Sequence, residues 1–107
     1  MMEGTPRIYM RLHSAGGQFI LAACDDHLLG VRLEMGEVQF LVSQHFYGGD
    51  LVNDDTFLNM LGQVTSANIV GNYCVDLLLK KGIVDPDSIV MVGDVKHVQI
   101  YTISLDR

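Results

Sequence analysis

Residues 45–50 bring together the side chains with the greatest chemical capacity in this sequence. The segment reads His-Phe-Tyr-Gly-Gly-Asp, so an imidazole, a phenol and a carboxylate flank two glycines whose backbone amides are open to an anion. No Gly-Lys-Ser or Gly-Lys-Thr follows the glycines, which excludes a phosphate-binding P-loop. The segment predicts a ligand or partner site, and a tight turn that buries Phe46 and Tyr47 is the open alternative. Its candidate residues are His45, Tyr47, Gly48, Gly49 and Asp50.

Asn68 and His97 are two further candidate binding residues. Asn68 falls in the first turns of a predicted helix, where capping the helix and binding a ligand are both open. His97, Gln99 and Tyr101 alternate with apolar residues and share one face of a predicted strand, which faces solvent, a partner or a groove. A concave pocket joining these residues to segment 45–50 would favour a small-molecule site. A flat sheet face with exposed apolar residues would favour a partner-binding protein.

The sequence gives little support for a metal site or for a reactive cysteine. The four histidines show no paired spacing of the kind that zinc sites use, and His27 beside Asp25 and Asp26 is the nearest approach. We therefore expect no metal and no cofactor. Cys24 and Cys74 are far apart in sequence, which favours reduced, buried thiols in a cytoplasmic protein and leaves a bridge between them as the alternative. No Gly-x-Ser-x-Gly motif offers a serine nucleophile.

Composition restricts the class of partner. The 107 residues are 49% apolar and predict a single domain with a packed core over residues 1–107. Seven Lys and Arg against thirteen Asp and Glu give a net charge of −6, which argues against a grip on the nucleic-acid backbone. Arg7, Tyr9 and Arg11 form one basic-aromatic patch, which leaves a local RNA contact as an open alternative. No apolar stretch reaches the roughly 20 residues of a membrane helix, and no signal-peptide pattern begins the chain.

The elements that must position these residues follow from hydrophobic period and turn residues. A period-two pattern at residues 8–12 and an apolar run at residues 18–24, joined by a glycine turn, predict a hairpin. Period-two patterns at residues 31–34 and 38–42 predict a second hairpin. One helical turn is expected at residues 25–30, and residues 43–52 are expected to form a loop with one helical turn near His45. The last predicted strands cover residues 89–92 and 98–103.

Two helices are predicted between the hairpins and the last strands. Asn53 is a suitable N-cap for the first, and Gly62 marks its break. Thr65 or Ser66 is expected to cap the second, which would end at Gly82 after Lys80 and Lys81. The order of strands, helices and strands predicts an α+β fold: a mostly antiparallel sheet built from hairpins with two helices packed on one face.

Several segments together resemble a family of small, uncharacterised archaeal proteins catalogued as a domain of unknown function. The most specific are Phe-Tyr-Gly-Gly at residues 46–49 and Ala-Asn-Ile-Val-Gly at residues 67–71. Others are Ala-Ala-Cys-Asp at 22–25, Gly-Ile-Val-Asp-Pro at 82–86 and His-Val-Gln at 97–99. The resemblance covers residues 8–103 and implies an archaeal, cytoplasmic protein. It implies no activity and no catalytic residue.

Two hypotheses for function remain from the sequence. The first is a small cytoplasmic accessory or binding protein that acts through protein partners, with translation or RNA processing as the expected setting. The second is a small-molecule enzyme or ligand-binding protein that uses segment 45–50. A homo-oligomer is also open, because an exposed edge strand can pair across a two-fold axis.

Overall fold

A computed structural model describes residues 4–101. Within this range the chain forms eight strands and three α-helices. In chain order they are β1 (Ile8–Ala15), β2 (Gln18–Asp25), β3 (Arg32–Met35), β4 (Val38–Leu41), α1 (Gln44–Tyr47), β5 (Asp50–Val52), α2 (Asp54–Leu61), β6 (Ser66–Val70), α3 (Asn72–Lys80), β7 (Val90–Val92) and β8 (Val95–Tyr101). Single turns of 3-10 helix cover Asp26–Leu28 and Pro86–Ser88.

Six of the described strands form one sheet in the order β5-β1-β2-β6-β8-β7. β2 and β6 run parallel, whereas the neighbours β5–β1, β1–β2, β6–β8 and β8–β7 are antiparallel. The mostly antiparallel α+β architecture predicted from the sequence is confirmed. The parallel contact lets β6 pair with β2 although three strands and two helices separate them in the chain.

The sheet buries a different core on each side. On the helix face, α2 and α3 bring Phe57, Cys74, Val75 and Leu78 against the sheet, all of them 0% exposed. On the opposite face, here called the hairpin face, α1 and the strands β3 and β4 cover a smaller core. That core contains Ala22, Cys24, Leu28, Val42, Tyr47 and Val70, with Leu33 and Phe40 packed against it.

The second hairpin is not part of the main sheet, contrary to the expectation of one sheet built from hairpins. β3 and β4 form a separate two-stranded sheet that lies over the hairpin face. Leu33 and Phe40 stand opposite each other in its register and turn inward, whereas Glu34 and Gln39 stay exposed. Alternation along a strand shows that one face is buried but does not show what it is buried against.

The predicted second helix begins too early. Residues 66–70 form strand β6, and helix α3 begins at Asn72 after the N-cap Gly71. β6 is covered on both faces, because Ala67 and Ile69 face the helices and Val70 faces the hairpin. A strand buried on both faces loses the apolar-polar alternation, so its run merges with the helical stripe that follows.

The other predicted boundaries are confirmed in part. The helical turn near residue 27, α1 near His45, the N-cap Asn53 and the end of α2 at Gly62 are confirmed. Residues 50–52, expected in a loop, form strand β5. The last strand begins earlier than predicted, at Val95, and its predicted end at residues 102–103 lies outside the described range.

A buried carboxylate joins the end of β2 to the start of α3. Asp25 is 2% exposed, and its two oxygens accept hydrogen bonds from Tyr73 N at 2.9 Å and Cys74 N at 2.8 Å. Gly71 makes this approach possible, because a Cβ there would lie 2.3 Å from the Asp25 carboxyl carbon, at a φ of +129°. The first amides of a helix carry partial positive charge and stabilise the buried anion.

Replacing Asp25 with Ala should lower the free energy of unfolding by about 2–3 kcal/mol, because two buried amides lose a charged acceptor. Urea unfolding of the full chain measures the loss. Asp26→Ala is the matched control, since the neighbouring carboxylate is exposed and its Oδ1 lies 3.6 Å from His27 Nδ1. Equal losses for the two variants would contradict the capping role.

Candidate functional site

Asn68 is the junction of a side-chain network on the hairpin face. It lies on β6, opposite Ala22 of β2 and Gln99 of β8. Its Oδ1 accepts a hydrogen bond from the Tyr47 hydroxyl at 2.6 Å and another from His97 Nε2 at 3.0 Å. Three of the predicted site residues, from α1, β6 and β8, are therefore brought together.

The network determines which nitrogen of His97 carries a proton. An amide oxygen only accepts, so His97 must donate from Nε2. The Phe40 ring stands edge-on to the imidazole with 5.2 Å between centroids. The ring is half-buried, and burial lowers the His97 pKa below its ordinary value of 6.5. His97 is therefore neutral at pH 7.

Helix α1 places Tyr47 over the sheet. Ser43 begins the helix as its N-cap, and its side chain accepts a hydrogen bond from Phe46 N. Tyr47 is 2% exposed, and burial raises the pKa of its phenol further above the ordinary 10.0, with the nearby Cys24 adding to the effect. The phenol is thus a neutral donor with its proton directed to Asn68. Tyr47 is therefore a buried side chain that this hydrogen bond holds in one orientation.

Phe46 and His13 form the outer part of the same cluster. Their rings stack with 4.7 Å between centroids, and His13 Nε2 lies 2.8 Å from Phe46 O. Phe46 also meets the Tyr47 ring edge-on at 4.9 Å. Sequence reasoning did not select His13, because nothing local to β1 indicates that α1 will pack over it.

The two glycines after α1 carry the chain closely past β1. A Cβ on Gly49 would lie 2.2 Å from Met10 O, and one on Gly48 would lie 2.6 Å from Gln44 O. Gly48 N donates to Gln44 O at 2.8 Å, so this amide is already occupied. Gly48 O accepts from Arg11 Nε at 2.8 Å and also from Arg11 Nη2. The glycines are required by the close approach of two backbones.

A cavity of about 540 Å³ opens beside this passage. Gly48, Gly49 and Asp50 line one part of it together with Arg11. The rest is apolar and is formed by Met10, Leu12, Leu21 and Met60. Its volume lies in the range of small-ligand pockets. His45 does not line it and is exposed on α1, so the predicted segment is divided between the cavity, the network and the surface.

β1 has a free edge next to this cavity. β1 pairs with β2 along its whole length but with β5 only over its first three residues. In the β1–β2 ladder Asp26 N donates to Arg7 O at 2.9 Å, and hydrogen-bonded positions alternate along an antiparallel strand. The N–H and C=O groups of Leu12 and Ser14 therefore point away from β2. In residues 4–101 no strand pairs with them on that side. The sequence did not predict that this part of β1 lacks a neighbouring strand. Residues 50–52 were expected in a loop, and the short pairing of β5 with β1 is seen only in the structure.

The cysteines do not provide a nucleophile. Both are free and buried. Burial raises the pKa of the Cys24 thiol to about 12, with the carboxylates of Asp25 and Asp26 adding to it. Burial also raises the pKa of Cys74, and Asp25 contributes again. Both thiols are protonated at neutral pH, and a protonated thiol neither attacks carbonyls nor binds metal well.

Two features are absent from the described part of the chain. Between residues 4 and 101, no group of three or more His, Cys, Asp or Glu side chains is arranged to hold a metal ion. No helix in the same range has the length and apolar character needed to cross a bilayer.

Comparisons with known proteins agree on a family without an assigned activity. A family model described as "Protein of unknown function (DUF424)" matches residues 13–103. Among solved structures, the chain is similar to an uncharacterized conserved protein from the archaeon Methanopyrus kandleri, with 25% identity and a TM-score of 0.80. That match covers 94% of this chain and 96% of the other. No curated protein matches. The resemblance inferred from the sequence is confirmed.

The lowered pKa of His97 predicts a pH dependence of stability. The folded state binds this proton more weakly than the unfolded chain, so the unfolded chain takes up more protons once the pH falls below about 6.5. The free energy of unfolding should therefore fall from pH 6.5 downward, toward the lowered pKa, and level off below it. Urea unfolding at a series of pH values measures this slope.

His97→Gln should reduce that slope, because Gln keeps an N–H donor for Asn68 but does not titrate. His45→Gln is the matched control, since His45 is exposed and should leave the slope as in the wild type. A slope that is insensitive to His97→Gln would show that another group causes the pH dependence.

Proposed function

Because the chain belongs to the DUF424 family, whose function is unknown, we propose a function from its own structure: a small binding protein that receives an extended segment of a partner protein as an added strand. The observation that carries this proposal is the free edge of β1, where Leu12 and Ser14 direct backbone N–H and C=O groups outward. An unpaired edge is a template for a further strand.

The cavity beside the edge supports this use. A strand placed next to Leu12 would extend the line of β5, and side chains on its helix-facing side would reach the cavity. The apolar lining includes Met10 and Met60, whose unbranched side chains adapt to varied shapes. Main-chain hydrogen bonds would supply general affinity, and the cavity would select an apolar side chain.

The edge lacks the usual protection against pairing. Native edge strands are often blocked by Lys, Pro or a bulge, whereas β1 carries Leu12, 47% exposed, and Ser14 at the open positions. Arg11 next to them forms no salt bridge in the described part of the chain, and its hydrogen-bond partner is Gly48 O. Arg11 is thus a cation beside the open positions, and Asp50 lines the same cavity, on a chain of net charge −6.

Charge favours a partner segment over a second copy of this chain. Antiparallel pairing of two β1 edges would place the Arg11 side chains of both copies on the same short stretch of sheet, and like charges across strands are destabilising. Two chains of net charge −6 also repel each other. A partner segment with an apolar residue beside an acidic one would fill the cavity and face Arg11 at the same time, since successive side chains point to opposite faces.

We place this function in the cytoplasm as part of the same proposal. Two buried free thiols and no disulfide suit a reducing compartment. The setting in translation or RNA processing stays a prediction from the sequence.

Selection of displayed random peptides against the full chain tests the proposal. Bound peptides should slow hydrogen exchange at the amides of Leu12 and Ser14, and Leu12→Lys should weaken their binding about tenfold or more, ~1.4 kcal/mol. Leu41→Lys is the matched control, because Leu41 is 45% exposed on β4. Slowed exchange confined to other amides, or equal effects of the two variants, would overturn the proposal.

Light scattering of the chain without peptide provides a second check. The proposal expects a monomer whose Leu12 and Ser14 amides exchange rapidly. A dimer in which these amides are already protected would assign the edge to a second copy and refute the partner-segment proposal.

A further inference from the structure

A second cavity lies on the hairpin face, away from the free edge of β1. Its use would be separate from the strand binding proposed for that edge. It is a groove of about 180 Å³ between α1 and β8. The lining of the groove includes Ile20, Phe46, Ser66, Asn68, Gln99 and Tyr101.

The volume of the groove suits one six-membered ring. An engineered cavity of about 150 Å³ in another protein binds benzene, so the groove has room for a ring of that size with one or two substituents. Aromatic side chains border it: Phe46 comes from α1, and Tyr101 comes from β8 and is 73% exposed. A flat ring can stack against such side chains, and stacking on an aromatic residue contributes to the binding of bases by many proteins.

The amide side chains in the groove are left as hydrogen-bond donors. Asn68 Oδ1 already accepts hydrogen bonds from Tyr47 and His97. Gln99 Oε1 accepts one from the Tyr101 hydroxyl. Within residues 4–101 neither NH₂ group has a hydrogen-bond partner, so each has donors for a ligand. A ligand that fits must therefore present acceptors.

The charge of the groove excludes strongly anionic ligands. Of the described residues that line it, none is a Lys, Arg, Asp or Glu. The whole chain carries −6, so a phosphate would meet repulsion with no cation to offset it. The ligand chemistry is then a neutral, flat ring with carbonyl oxygens on its edge.

We propose that this groove binds a pyrimidine ring with two carbonyl oxygens, of the uracil type, as a free base or nucleoside. Asn68 and Gln99 would donate to the ring oxygens, and Phe46 or Tyr101 would stack on the ring. Cytosine is the discriminating competitor, because its exocyclic NH₂ replaces one acceptor with a donor. A donor facing the donors of an amide loses a hydrogen bond and leaves both groups unpaired.

Titration of the full chain with uridine and with cytidine, followed by NMR, tests the proposal. Uridine should bind about tenfold more tightly than cytidine, with shifts at Asn68 and Gln99. Gln99→Glu turns a donor into an acceptor and should abolish or reverse this preference. Its carboxylate still accepts from the Tyr101 hydroxyl, and the residue is exposed, so the fold should be kept.

Gln39→Glu is the matched control, because it makes the same change at an exposed position on β4. It should leave the ratio of uridine to cytidine affinity unchanged. Equal affinity for the two nucleosides, equal effects of the two Glu variants, or no binding of either nucleoside would overturn the proposal.

A base within an RNA strand presents the same ring, so a single-stranded oligouridylate is the last arm. It should bind no more tightly than uridine, because the groove has no cation for the phosphates. Tighter binding that weakens with added salt would assign the groove to an RNA strand and would refute the free-base proposal.

Discussion

The hydrogen bonds from the first amides of α3 to the Asp25 carboxylate are the constraint on which the rest of the structure depends. An ionised carboxylate that is 2% exposed is costly to bury unless it is well paired. Here two amide donors at the start of a helix stabilise it. The pairing is only possible because Gly71 has no side chain in the space that the carboxylate occupies.

This contact determines the arrangement of the central strands. It ties the end of β2 to the turn that follows β6, so the two strands run side by side in the same direction. α3 then turns back over the helix face, where Cys74, Val75 and Leu78 are fully buried. With β6 placed in this way, Asn68 lies in the middle of the hairpin face, within reach of both α1 and β8.

On the hairpin face, the oxygen and the nitrogen of the Asn68 side-chain amide have different uses. The oxygen of Asn68 holds Tyr47 and His97, which fastens α1 and β8 to β6. Its nitrogen is left for whatever enters the groove. The free edge of β1 has a comparable origin, because β5 is only three residues long and begins only after Gly49 has passed Met10. Each candidate site therefore lies beside a structural interaction and consists of polar groups that this interaction, in the described part of the chain, does not use.

The sequence by itself determined the elements whose signals are local. Alternation in residues 8–12, an apolar run in residues 18–24 and the glycine turn between them were sufficient for β1 and β2. Asn53 and Gly62 correctly bounded α2, because caps depend on near neighbours. It also selected Tyr47, Asn68 and His97 as residue types capable of polar contacts. Only the tertiary structure decided that these three meet, that residues 66–70 form a strand, and that Asp25 caps a helix 48 positions away. The physical reason is that hydrogen-bond partners distant in the chain, and burial on both faces of a strand, leave no periodic trace in the sequence.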